Sequence, residues 1–72
     1  MEAKDEQLIL SLVDREPDLK RFYEEHVQLE KQLAQLNHKG FLNGDEEVER
    51  KRLQKVKLAG KDRMMEILHR YR

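Results

Sequence analysis

An all-α fold is what this chain of 72 residues predicts: a long antiparallel helical hairpin with a short N-terminal helix, in one domain spanning 1–72. Three observations carry that reading. A helix stop and a helix start lie about five residues apart near the middle, in Lys39-Gly40-Phe41-Leu42-Asn43-Gly44-Asp45-Glu46-Glu47. On both sides of this stretch, apolar residues recur at steps of three and four, not two. The chain also has no Thr and no Trp, and no alternation of β-branched with aromatic residues from which to build a strand.

The first helix is expected over residues 4–15. Leu8 and Leu12 share one face and Ile9 and Val13 the next, so its middle is apolar nearly all round. Such a helix has to dock, on the hairpin or on a partner, and docking within its own oligomer is favoured. Pro17 comes next. It lacks an N–H and disfavours helical geometry at Glu16, which predicts a break and a fresh start at Pro17. The spacing Leu8, Leu12, Arg15, Leu19, Phe22 also runs straight through the proline, as in one kinked helix; the break is favoured.

The second helix is expected over 17–38. Leu19, Phe22, His26, Leu29, Leu33 and Leu36 are spaced 3-4-3-4-3, and Tyr23, Val27 and Ala34 form a weaker second stripe. A turn over 39–43 follows. Gly40 suits a left-handed helix stop, with Phe41 folding back onto Leu36 as in a Schellman motif. Asn43 is placed to cap the third helix, with Glu46 three residues on to complete a capping box. Asp45, Glu46 and Glu47 put negative charge at the positive end of the helix dipole.

The third helix is expected over 44–71. Leu53, Val56, Gly60, Met64, Ile67 and Tyr71 fall on one face, and Leu58, Met65 and Leu68 on an adjoining one. Its apolar positions span roughly 200°, whereas one packed neighbour needs about 100°. Gly60 falls near Glu24, between Tyr23 and His26, so the missing side chain is expected to make room for the aromatic ring or the imidazole.

Composition narrows the function classes. Charged residues are 42% of the chain, which leaves material for long two-sided helices and little for a thick core. There is no Cys, so disulfides and thiolate metal sites are excluded. The longest apolar run, Leu8-Ile9-Leu10, is far short of the roughly 20 residues of a membrane span. The expected compartment is the cytoplasm. Net charge is zero but unevenly spread: residues 1–47 hold 6 basic and 12 acidic side chains, and residues 48–72 hold 9 basic and 3 acidic. Folded back, an acidic arm lies against a basic one.

Four sets of residues are candidates for chemistry. His26, inside the apolar stripe and four residues from Glu30, reads as a core histidine before a ligand or pH switch. Glu66-x-x-His69 has the spacing of carboxylate di-iron sites, but the further ligands such sites need are missing. Lys51, Arg52, Lys55, Lys57, Lys61 and Arg63 could form a phosphate-binding strip; a solvated face pairing with Glu24, Glu25 and Glu30 is the preferred reading, since no aromatic residue is interleaved for stacking. Ser11 has no histidine near it in sequence, and no glycine-rich phosphate loop exists. No cofactor and no enzymatic activity is expected.

The chain resembles the YdcH-like family of small bacterial proteins of unknown function. The likeness rests on Leu19, Phe22, His26 and Leu29, on the turn's Phe41-Leu42 followed by acidic residues, and most of all on Leu53, Lys57-Leu58 and Lys61-Asp62. It covers nearly the whole chain after residue 5. Gln54 stands where that family tends to have Lys, and Gly60 where it tends to have Leu. The resemblance implies an α-hairpin that self-associates and supplies no activity.

From the residues themselves, the expected function is a helical protein–protein interaction module whose first partner is itself, as a dimer or higher oligomer. Another protein is a further candidate partner, and no membrane is implied. The alternative is a nucleic-acid-associated protein using the basic face of the third helix, which zero net charge disfavours. Tyr23, Val27, Leu58, Met65 and Leu68 are the expected self-association surface. Leu19, Phe22, His26, Leu29, Leu33, Leu36, Leu53, Val56, Met64 and Ile67 are the expected hairpin core. A hairpin alone leaves so much apolar surface open that Leu58→Glu is expected to give an unfolded monomer.

Overall fold

The computed structural model describes residues 2–72, as three helices: α1 (Ala3–Leu12), α2 (Pro17–His38) and α3 (Gly44–His69). No described residue is in a strand. Helices α2 and α3 pack side by side as the hairpin, and the molecule measures 42 × 18 × 17 Å. The long dimension matches α3, since 26 residues at about 1.5 Å each give roughly 39 Å.

Pro17 breaks the chain and does not kink it. Helix α1 ends at Leu12, whose carbonyl accepts the N–H groups of Arg15 and Glu16 at 2.9 Å each. Glu16 is extended (φ −118°, ψ 94°), the conformation a following proline imposes, and Pro17 opens α2. This short link turns α1 back onto the open end of the hairpin. There Ile9, Leu12, Leu19, Met64, Ile67 and Leu68 form one buried cluster, with Leu8, Val13, Phe22, Tyr23 and Met65 packed around it. Each large apolar side chain buried in this way contributes about 1.5–3 kcal/mol before ordering costs. A second cluster of Leu29, Leu33 and Leu53, flanked by Leu36 and Val56, holds the hairpin nearer the turn.

The turn departs from expectation at its first half. No described residue has a positive φ, so Gly40 does not make a left-handed stop. Lys39 leaves α2 in an extended conformation (φ −70°, ψ 132°), which carries the chain outward. Phe41 is consequently 85% exposed and does not fold onto Leu36. The second half is a capping box: Glu46 N–H donates to Asn43 Oδ1 at 2.8 Å, and Asn43 N–H donates to Glu46 Oε1 at 3.2 Å. Lys39 also donates to the Glu46 carboxylate across the turn. That bond, ahead of the one from the Asn43 backbone, lowers the Glu46 pKa below the usual carboxylate value.

Gly60 is a correction of another kind. It lies between the two clusters along α3, but a Cβ placed there would meet nothing within 4 Å. No ring or imidazole occupies the space, so the glycine is not a packing device.

Candidate interaction surface

Seven of the expected core positions are buried: Leu19, His26, Leu29, Leu33, Leu53, Met64 and Ile67. Phe22, Leu36 and Val56 are half-buried at the edges of the two clusters. His26 is 5% exposed and lies along α2 between the clusters. Its Nε2 lies 3.0 Å from Glu30 Oε1, and its Nδ1 has no hydrogen-bond partner among the described residues.

The expected self-association residues divide. Leu68 is fully buried inside one chain, so it cannot meet a second copy. The reason is α1: Ile9 and Leu12 cover it, and Met65 and Tyr23 are half-buried beside them. Val27 is half-buried and Leu58 is 60% exposed. Sequence reasoning read α1 as a helix that must dock but could not place its seat. The residues that it contributes, Ile9 and Leu12, were legible only as part of an apolar run.

Polar ties hold α1 and the link after it against the hairpin. Tyr23 donates to Glu6 Oε1 at 3.2 Å, Tyr71 donates to the Glu16 carboxylate, and Arg72 pairs with Asp5. Burial, and then the bond to Glu6, pushes the Tyr23 pKa up; the bond to Glu16 does the same for Tyr71.

The face under α1 continues toward the turn with nothing on it. Just past Glu6, a cavity of about 110 Å³ lies among Glu6, Tyr23, His26, Val27 and Glu30. Beyond it a groove of about 460 Å³ opens between α2 and α3, lined by Glu30, Leu33, Ala34, Asn37, Gln54, Lys57 and Leu58. Leu33, Ala34 and Leu58 supply its apolar surface, and Glu30 and Lys57 pair across it at 3.6 Å. Tyr23, Glu30, Ala34 and Asn37 recur on α2 at steps of seven, four and three, one continuous stripe from the α1 seat to the turn.

The basic residues of α3 do not form one strip. At about 100° per residue, Lys51, Lys55, Arg52 and Arg63 fall within roughly 120° of one another, while Lys57 and Lys61 lie on the far side of the helix, beside the groove. Nor do they mostly cross the hairpin. Arg52 binds Glu49 on its own helix, with Nη2–Oε1 at 2.5 Å, lowering the Glu49 pKa. Lys57–Glu30 is the only ion pair between these six and the acidic arm among the described residues. Glu66 and His69 are both exposed near the end of α3, and among the described residues no group of three His, Asp or Glu could hold a metal ion. Ser11 donates to the Leu8 carbonyl at 2.7 Å. Among the described residues no helix is long and apolar enough to cross a membrane.

Comparison with protein-family models, with curated proteins and with solved structures returned no match.

Proposed function

We propose that this chain is a small cytoplasmic helical module that works by protein–protein contact and whose first partner is another copy of itself. The observation that supports this is the open groove at the turn half, with Leu58 60% exposed on its lip. At the other half α1 already covers the same face. An uncovered apolar stretch that continues a covered one is the kind of surface a chain keeps for a partner. The split of the basic residues around α3 gives the nucleic-acid reading no continuous phosphate track.

Light scattering coupled to gel filtration over a concentration series tests the reading. The parent mass is expected to rise with concentration, and Leu58→Glu to hold it at the monomer value with helix content unchanged. A folded monomer at every concentration would refute self-association. Retention on a nucleic-acid column that collapses between low and moderate salt would move the assignment to the basic flank.

A further inference from the structure

Resting on that reading, we infer that the groove seats the same groove of a second copy, with the two hairpins antiparallel about a two-fold axis through Ala34 and Gln54. Two features of the molecule select this arrangement, and a third sets its strength.

The first is steric. Helix α1 stands on this face at the open end, packed on Leu19, Met64 and Leu68. Two hairpins laid face to face in the same direction would set one α1 against the other. Laid antiparallel, each α1 falls past the turn of the other copy, and only the turn halves meet.

The second is the register of the groove itself. Ala34 and Gln54 both line it, on opposite walls, so an axis through them crosses its middle. Glu47 and Lys61 each lie seven residues from Gln54, at two turns of helix, on the same side of α3 as Gln54. The axis therefore sets Glu47 of one copy opposite Lys61 of the other, twice over. Among the described residues Lys61 makes no ion pair, and Glu47 makes only a 3.5 Å one to Arg50.

The third is size. From Val27 to His38 the open face is about 18 Å long at 1.5 Å per residue, and the molecule is 18 Å wide. A projected face of roughly 300 Å² per copy, about 600 Å² in all, is smaller than a standard specific interface, so the pairing is expected to be weak and concentration-dependent.

The absence of Cys allows a direct test, because a single introduced thiol can form a disulfide only between chains. Ala34→Cys lies on the axis and is expected to cross-link to a dimer under mild oxidation. Asn37→Cys, three residues off the axis, is expected to cross-link more weakly, and Glu24→Cys not at all. Glu47→Lys and Lys61→Glu are each expected to raise the dimer Kd by about three- to tenfold, and the double exchange to restore it. A dimer that forms in solution but gives no Ala34→Cys cross-link, or no recovery in the double exchange, overturns this geometry while self-association stands. A parent chain that stays monomeric throughout overturns both. Circular dichroism of each variant, matching the parent, assures that the readout concerns association and not folding.

Discussion

Ile9→Ala tests whether α1 is part of the folded core. Ile9 is fully buried against Leu19, Met64, Ile67 and Leu68, whereas its neighbour Leu10 is 51% exposed on the same helix. Truncating a fully buried Ile to Ala removes the transfer free energy of its lost carbons and leaves a cavity, together about 2–5 kcal/mol. For a domain of this size each 1 kcal/mol moves the unfolding midpoint by about 4–8 °C, so even the low end predicts a fall of about 8–16 °C. Leu10→Ala has nearly the same chemistry and should stay within about 0.5 kcal/mol of the parent. Thermal melts by far-ultraviolet circular dichroism compare the two at one protein concentration, below the onset of association. An unchanged midpoint for Ile9→Ala, or equal losses for the two variants, would show that α1 does not dock as described. The same contact changes what Leu58→Glu should do. With Leu68 and Met65 covered from within the chain, the variant is expected to be a folded monomer and not the unfolded one that a bare hairpin implies.

Two further predictions follow from local geometry. Gly60→Ala should raise stability by up to about 1 kcal/mol, since the new Cβ meets nothing within 4 Å and the helical cost of glycine is removed; chemical denaturation that shows a loss would mean the space is filled. The Glu46 carboxylate is held below its usual pKa by Lys39 and the Asn43 backbone, so its contribution is complete above the unfolded carboxylate pKa and is lost as pH falls through the lower folded value. Acid titration of the melting midpoint should therefore show a smaller fall in Glu46→Gln than in the parent, and identical acid profiles would count against the capping box as an ionised pair.

The sequence determined by itself whatever depends on neighbours three or four residues apart. The Asn43–Glu46 box, the break at Pro17 and the three- and four-residue spacing from Leu19 to Leu33 are local features, and the sequence alone encodes them. Tertiary structure decided the rest. Whether Gly40 enters the left-handed region depends on how the chain must leave α2 to reach Asn43. The extended Lys39 takes that role and leaves Phe41 in water. The ion pairs of α3 depend on which carboxylate each long side chain reaches first, and Glu49 lies nearer Arg52 than the opposite arm does. Above all, the spacing of α1 specifies a helix with apolar sides but no seat. The seat is a surface assembled from Leu19, Met64 and Leu68, residues about 10 to 60 positions away along the chain, and it exists only once the hairpin has closed. That placement buries half of the second apolar stripe and leaves the other half, at Ala34 and Leu58, as the open groove.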